Sequence, residues 1–214
     1  MKHKLISPVV RTALVAAVIM VAAFAPKASA QFRYGPTVGI SLTNLNFKQP
    51  EIMTVDKTIG YSAGIAAEMM FPGIGFGIDL GLYYEQRGAK LHMGERLIWS
   101  SQGLGTERAA LHYLALPIHL RFKYTRMNGF EEKIAPIAFA GPTFGFLVGH
   151  SKNPALDYAG GDLGLEFGLG AEILQRWQVT ASYNLGVTYA LKAKLLTNYS
   201  ARNRSWNLRV AYLF

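Results

Sequence analysis

Apolar and polar residues alternate one by one along most of the chain between residues 31 and 214. In the segment 58–71, TIGYSAGIAAEMMF, every second residue from Ile59 to Phe71 is apolar. Such alternation places one face of a β-strand against an apolar environment and the other against polar or tightly packed groups. A helix of the same sequence would spread its charges around its whole circumference. The chain is therefore predicted to be all-β.

Eight segments of this kind follow one another, and the fifth is irregular. They cover residues 33–43, 58–71, 74–87, 112–124, 134–149, 162–173, 177–189 and 205–214. In the fifth segment, Ile137 and Phe139 share one parity, whereas the aromatic and apolar residues of 144–148 have the other. A β-bulge near Gly141 and Pro142 would reconcile the two parities, and we expect one there.

Short and long connections alternate between the predicted strands. The dipeptide Pro72-Gly73 separates the second strand from the third, LQR at 174–176 separates the sixth from the seventh, and TRMNGFEE is of moderate length. The remaining connections are longer and more polar, and they lie at 44–57, 88–107, 150–160 and 190–203. Outer-membrane barrels have this asymmetry, with short periplasmic turns and longer outer loops.

The first thirty residues have the pattern of a secretory signal peptide. Lys2, Lys4 and Arg11 give a positive start, an apolar stretch covers 12–25, and ASA at 28–30 is a cleavage site of the A-x-A type. We therefore expect a signal peptide at 1–30 and one domain at 31–214. The signal peptide carries four Lys/Arg and no acid, so its removal lowers the formal charge from +9 to about +5.

Composition narrows the fold class further. Half of the residues are hydrophobic and 12% are aromatic, yet no later segment reaches the roughly 18 unbroken apolar residues of a membrane helix. The absence of cysteine excludes thiolate metal sites, thiol catalysis, disulfides and a lipoprotein anchor. These features predict an eight-stranded antiparallel transmembrane β-barrel of up-and-down topology. An even strand number places both ends of this barrel on the periplasmic side of an outer membrane.

Charged residues occur on the face of the strands that is predicted to point into the barrel. An eight-stranded barrel is only wide enough for its side chains to fill it. Because unpaired buried charge is costly, these residues are predicted to form an ion-paired network rather than to line an open channel. The predicted network consists of Arg33, Glu68, Asp79, Glu85, Arg87, His119, Arg121, Lys123, Asp162, Glu166, Glu172 and Arg209.

An ordered set of short motifs resembles the PorT-like outer-membrane β-barrel family, often labelled porin family or outer membrane protein beta-barrel domain. The motifs are GPTVGISLTNL, DLGLYYEQRGAK, HYLALPIHLRFKY, IAFAGPTFGFLVG, LEFGLGAEI, ASYNLGVTY and NLRVAYLF. They cover nearly all of 31–214. The resemblance implies an eight-stranded barrel in the outer membrane, and it implies little about activity because most members have no assigned reaction.

The resemblance also gives the last strand a role. Barrels of this kind end in an aromatic residue preceded by alternating apolar residues, and the assembly machinery must recognise that strand. The predicted C-terminal insertion signal consists of Trp206, Leu208, Val210, Tyr212 and Phe214. Phe214 and Tyr212 are expected at the periplasmic interface, and Trp206 nearer the opposite aromatic girdle.

We expect a structural or interaction barrel, associated with envelope assembly or secretion, with a filled interior. A narrow path for small solutes and a barrel-embedded lipid- or peptide-hydrolysing enzyme remain alternatives. Catalysis is not expected, because no spacing links Ser182 or Glu166 to a histidine. No two histidines have metal-ligand spacing, and the glycine string at 73–81 opens no helix, so neither a metal nor a cofactor is expected.

The expected partners are those of an outer-membrane protein: outer-membrane lipids and lipopolysaccharide, the outer-membrane assembly machinery, and a secretion or envelope protein. The loops at 88–102 and 190–204 are basic and could contact anionic lipopolysaccharide, although basic loops can also simply be solvated. Nucleic acid is not an expected partner, because the basic residues are dispersed along the chain.

Overall fold

The computed structural model describes residues 31–47, 54–73, 75–92, 105–127, 129–151, 156–193 and 200–214. The predicted signal peptide and its cleavage site lie outside the described residues. The unit Gln31–Phe214 forms one compact body. Within the part of the chain that is described, no helix is long and apolar enough to cross a membrane.

The described residues are almost entirely β-structure. Among the residues described, one 3₁₀ turn, Phe130–Glu132, precedes the fifth strand. The strands are β1 Gln31–Phe47, β2 Thr54–Met70, β3 Phe76–His92, β4 Thr106–Lys123, β5 Ile134–His150, β6 Leu156–Tyr158, β7 Gly161–Ile173, β8 Trp177–Gly186, β9 Leu191–Ala193 and β10 Ser200–Tyr212.

Eight long antiparallel strands close into a barrel. The order is β1-β2-β3-β4-β5-β7-β8-β10, and β10 pairs with β1 from Thr37↔Ala211 to Phe47↔Ala201. The two short strands extend one side, because β9 pairs with β10 and β6 pairs with β9. The predicted eight-stranded, up-and-down antiparallel barrel is confirmed.

The two ends of the barrel differ in their connections. At one end, here called the turn end, residues 71–75, 124–133 and 174–176 join the strands, and Phe214 lies beside β1. At the other end, here called the loop end, the connections are 48–53, 93–105, 151–160 and 187–199, and they include β6 and β9. The connections 93–105 and 187–199 are longer than any at the turn end, as the sequence predicted, whereas 48–53 is shorter than 124–133 because β1 and β2 extend farther than predicted.

The prediction of a β-bulge near Gly141 and Pro142 is wrong. The pairing of β5 with β7 keeps one register from Ile134↔Ile173 to Phe146↔Gly161, through both of these residues. The parity is also constant, because Phe139 is buried inside the barrel while Phe144 is exposed outside it. The apolar residues at 137 and 139 therefore belong to the interior, and no bulge is needed to turn them outward.

Several strands extend farther toward the loop end than predicted. β1 continues to Phe47 instead of stopping at residue 43, and β10 begins at Ser200 instead of residue 205. β1, β2, β3 and β5 each have 17 residues. A transmembrane strand needs only about 9–11 residues. The barrel therefore continues past the membrane at its loop end.

Candidate functional site

The outer surface carries a band of exposed apolar side chains with aromatic rings at its turn-end border. On β1 the outward residues from Phe32 to Leu42 are all apolar or aromatic. At the turn end the rings lie in contact along the border: Tyr34–Phe214 centroids are 6.4 Å apart, Tyr212–Phe214 5.1 Å, Trp177–Tyr212 4.9 Å and Phe76–Phe122 5.0 Å. This arrangement matches the aromatic girdle of a lipid-facing barrel.

A second set of rings borders the band on its loop-end side. The rings of Tyr183 and Trp206 are 4.9 Å apart, and those of Tyr61 and Tyr84 are 6.2 Å apart. The Tyr84 hydroxyl and Nδ1 of His112 are 2.7 Å apart. Two girdles enclosing an apolar band mark the part of the barrel that is in contact with lipid.

Beyond the second girdle the polarity of the strands inverts. On β1 the band places Val38 outside and Thr37 inside, whereas farther along Asn46 is outside and Leu45 and Phe47 are buried inside. Apolar residues therefore face outward where the surroundings are lipid, and inward where the surroundings are water. The inversion fixes the border of the membrane on the strand itself.

All twelve charged residues predicted for the interior point into the lumen. Ten of them are buried; Arg33 and Asp79 are partly exposed, with 18% and 14% of their side-chain surface accessible. They form three connected clusters along the barrel axis. From the turn end, the first contains Arg33, Glu68, Asp79, Arg121, Lys123 and Glu172; the second contains Glu85, His119, Glu166 and Arg209; the third contains Arg87 and Asp162.

The first cluster is centred on Glu68. Arg33 Nε donates to Glu68 at 2.8 Å, and Arg121 Nη1 donates to the other carboxylate oxygen at 2.7 Å. Lys123 Nζ donates to both oxygens of Glu172, at 3.0 and 3.1 Å. Gln178 donates from Nε2 to Glu68 at 2.6 Å and to Glu172 at 3.1 Å, so it joins the two carboxylates.

The second cluster connects strands on opposite sides of the lumen. Arg209 on β10 donates to Glu85 on β3 at 2.8 Å and also donates to Glu166 on β7. Its guanidinium carbon lies 5.2 Å from the centroid of the Tyr83 ring. Glycine makes room for this packing, because a Cβ at Gly81 would lie 2.5 Å from the Tyr83 ring. The guanidinium thus occupies the axis of the barrel.

The third cluster lies between Arg209 and the loop end. Arg87 donates to Glu85 at 2.9 and 2.6 Å and to Asp162 at 3.4 Å. Asn203 donates to Asp162 at 2.7 Å and to the Tyr113 hydroxyl at 3.2 Å. Tyr113 is fully buried and its ring lies under Arg87, 5.3 Å from the guanidinium carbon.

An apolar plug closes the lumen at the loop end. Its residues are fully or almost fully buried, and Tyr113 joins them to the third charged cluster. The plug lies inside the part of the barrel where polarity is inverted, so its outer surface is polar. It consists of Leu45, Phe47, Ala89, Leu91, Ala109, Leu111, Tyr113, Leu156, Ala190, Leu191 and Ala201.

A small cavity of about 40 Å³ lies between the first and second clusters. Its lining includes Glu68, Asp79, His119, Arg121 and Arg209. A polar space of this size holds only two or three water molecules. A cavity of this size does not extend along the barrel.

In the described interior, the hydroxyl groups of Ser182 and Thr143 contact basic groups, and both hydroxyls are part of the charged network. Ser182 Oγ donates to Glu166 at 2.6 Å, and Glu166 is ion-paired with Arg209. His119 Nε2 is 3.3 Å from Thr143 Oγ1, and its ring stacks on Phe139 at 5.1 Å. Among the residues described, no group of three or more acidic, histidine or cysteine residues could hold a metal ion.

Sequence reasoning located the charged residues but missed their neutral partners and the plug. Gln178, Ser182 and Asn203 each donate to an interior carboxylate. Their position on the same alternating face as the charged residues is the signal that could have identified them. The plug residues of β1 and β3 fell in segments interpreted as loops, whereas Tyr113 of β4 fell in the predicted fourth strand.

The five residues of the predicted C-terminal signal lie on β10 or directly after it. Trp206, Leu208 and Phe214 are exposed on the lipid-facing side, and Val210 and Tyr212 share that side of β10. The backbone N–H of Phe214 donates to the carbonyl of Tyr34 at 3.0 Å. The last residue therefore closes the barrel against its first strand. Whether the strand acts as an insertion signal is a separate, functional prediction.

Solved structures with a similar fold are outer-membrane barrels. The outer membrane protein OprG from Pseudomonas aeruginosa is 10% identical, with a TM-score of 0.54 over 86% of this chain and 95% of that chain. A major outer membrane protein from Thermus thermophilus is 12% identical, with a TM-score of 0.46 over 84% and 99%. The outer membrane enzyme PagL is 12% identical, with a TM-score of 0.44 over 81% and 98%. At these identities the likeness to OprG shows a shared fold.

The family is shown by the sequence itself. Curated protein sequences contain no match to this chain. A family model, described as outer membrane protein beta-barrel domain, matches residues 12–214. This match includes all of the strands that form the closed barrel. The chain belongs to the outer membrane protein beta-barrel domain family.

Proposed function

We propose that this protein is a closed structural or interaction barrel of the PorT-like group, associated with envelope assembly or secretion. In this role the barrel anchors a rigid body in the outer membrane and presents its loop end to partners. Catalysis is not part of the proposed role. Ser182 supports this proposal, because its hydroxyl donates to an ion-paired carboxylate and not to a histidine.

The filled lumen is the main observation that supports this proposal. Three charged clusters occupy the axis from Arg33 to Arg87, and the apolar plug occupies the loop end. An ion that entered would have to displace paired side chains and then cross a dry apolar region, both at high cost in free energy. This arrangement favours a structural or interaction role over a path for solutes.

The proposed orientation places the turn end in the periplasm. The two shortest connections, 71–75 and 174–176, and residue Phe214 are at this end, whereas the two longest connections and the polar extension of the barrel are at the other. Outer-membrane barrels place short turns in the periplasm and long loops outside. The predicted signal peptide supplies export to the periplasm, and both ends of 31–214 then face the periplasm.

A liposome swelling assay tests the proposal. Proteoliposomes that contain the purified protein are diluted into isotonic solutions of small sugars and amino acids, with a water-filled porin as the positive control. We expect swelling rates equal to those of empty liposomes. Swelling that depends on solute size would instead favour the narrow solute path. Recovery of a co-purifying envelope protein from outer membranes would identify the interaction partner.

A further inference from the structure

Two arginines lie on the outward face of β10 immediately beyond the apolar band. Trp206 is the last aromatic residue of the band on this strand, and Arg204 and Arg202 are the next two outward residues. Both arginine side chains are exposed. They therefore sit where the lipid headgroups of the adjoining leaflet begin.

These arginines lack the carboxylate partners that the interior arginines have. Every arginine of the interior network is in an ion pair with at least one carboxylate. Among the described residues, no acidic side chain forms an ion pair with Arg202 or Arg204. Their cross-strand neighbours on β1 are the neutral residues Asn46 and Asn44. The positive charge on this surface is thus left uncompensated by the protein.

The local packing orients the two guanidinium groups. Arg202 lies over the Tyr189 ring, 5.0 Å from guanidinium carbon to ring centroid, which holds its planar fork on the outer surface. Arg204 pairs across the strands with Leu185 on β8. Below it, Tyr183 and Trp206 form an aromatic floor suited to the region between acyl chain and headgroup. A guanidinium fork above such a floor matches a lipid phosphate in geometry and charge.

A second basic pair at the loop end differs from Arg202 and Arg204 in its distance from the girdle and in the charge of its neighbours. Lys90 and Arg108 are directly opposite one another on β3 and β4. Lys90 also lies opposite the acidic Asp56 of β2. It is six residues beyond the aromatic Tyr84, whereas Arg204 is two residues beyond Trp206. This pair is farther along its strand from the girdle and has an acidic residue at the facing position of the neighbouring strand.

We propose that Arg202 and Arg204 bind the phosphate group of a glycolipid in the outer leaflet, with its acyl chains on the aromatic and apolar surface below. This inference rests on the proposed orientation, which places the loop end outside. The site would anchor the barrel to the charged lipid surface and would order the strand that closes it.

The test measures lipid binding to the purified protein in neutral detergent, by native mass spectrometry and thermal unfolding. The probes are bisphosphorylated lipid A, enzymatically dephosphorylated lipid A and inorganic phosphate. The variant R202Q/R204Q is compared with K90Q/R108Q, which removes the same charge elsewhere on the loop end. Folding is verified by heat-modifiable gel migration, and R204Q alone replaces the double variant if that one does not refold.

We expect R202Q/R204Q to weaken binding of phosphorylated lipid A by roughly 30-fold, since each basic residue near a charged lipid surface contributes about fivefold. R204Q alone should weaken it about fivefold, and K90Q/R108Q by less than about twofold. Equal losses in the two double variants would overturn the proposal, as would equal binding of dephosphorylated lipid A. Equal binding of inorganic phosphate would show a soluble anion as the ligand and overturn the lipid assignment. Because binding in detergent is independent of orientation, its failure is distinct from a failure of the proposed topology.

Discussion

Arg209 on β10 donates to Glu85 on β3 across the lumen, with 2.8 Å between Nη2 and Oε1. The same guanidinium is ion-paired with Glu166 on β7. One side chain therefore joins the strand that closes the barrel to two strands elsewhere in its wall. Because all three groups are buried, removal of the cation leaves Glu166 without its arginine partner and Glu85 with Arg87 alone.

Replacement of Arg209 by Gln is expected to reduce the free energy of unfolding by about 3–5 kcal/mol. The measurement is urea-dependent unfolding in lipid vesicles. Lys90→Gln, which removes an exposed charge, serves as the control and should change stability by less than about 0.5 kcal/mol. An effect of R209Q no larger than that of the control would show that the charged network contributes little to stability.

The inverted polarity of β1 gives a prediction about two outward residues on the same strand. The substitution Val38→Arg, inside the apolar band, should make the free energy of folding into the membrane less favourable by about 2–4 kcal/mol, because a charge near the middle of the bilayer is poorly solvated. Arg at Asn46, beyond the second girdle, should cost about 0–1 kcal/mol. Refolding titrations into vesicles measure both values. Similar costs at the two positions would refute the assigned membrane border.

The role of the C-terminal residue Phe214 can be tested by comparison with Phe32, a similarly exposed residue at the start of the barrel. Phe214 and Phe32 are both exposed in the turn-end girdle, at 70% and 58%. Asp at either position should cost only about 0–1 kcal/mol when the purified chain refolds, because both lie near the interface. In cells we expect F214D alone to fail in assembly, since only the last strand is predicted to carry the insertion signal. Heat-modifiable migration of membrane fractions is the measurement, and normal levels of folded F214D would reject the signal.

The turn between β7 and β8 offers a stabilising substitution. Leu174 and Gln175 have positive φ values of 52° and 59°, a backbone region that favours glycine or asparagine. Gln175→Gly should raise the free energy of unfolding by about 0.5–1 kcal/mol. The bond that Arg33 donates to the backbone carbonyl of Gln175 is retained. Gln175→Ala keeps a Cβ and should bring no gain; a gain equal to that of glycine would contradict the explanation.

The absence of cysteine makes the orientation directly measurable. A single cysteine at Asp157, on the exposed loop-end strand β6, should react with an impermeant maleimide on intact cells. A cysteine at Glu132, exposed in a turn-end connection, should react only after the outer membrane is opened. The reverse pattern would show that the loop end faces the periplasm.

The alternation of residues predicted the barrel and the direction of all twelve interior charges, because period two reports on the two sides of a strand. The pattern gave wrong strand ends where the surroundings of the barrel change from lipid to water. Leu45 and Phe47 continue β1, but outside the membrane the apolar side is the inner one, so the predicted strand ended too early. The prediction of a bulge failed for a related reason: Ile137 and Phe139 are apolar, and apolar residues also fill a narrow lumen. The ion pairs depend on which strands meet across the barrel, and local sequence does not encode that.

The central claim, a lumen closed by ion-paired side chains and an apolar plug, is tested most directly by electrical recording. Purified protein is inserted into planar lipid bilayers at high salt, with a water-filled porin inserted in parallel. The account predicts no steady current steps from this protein under conditions in which the porin conducts. Regular steps of constant size that scale with salt concentration would contradict it and would show a continuous aqueous path through the barrel.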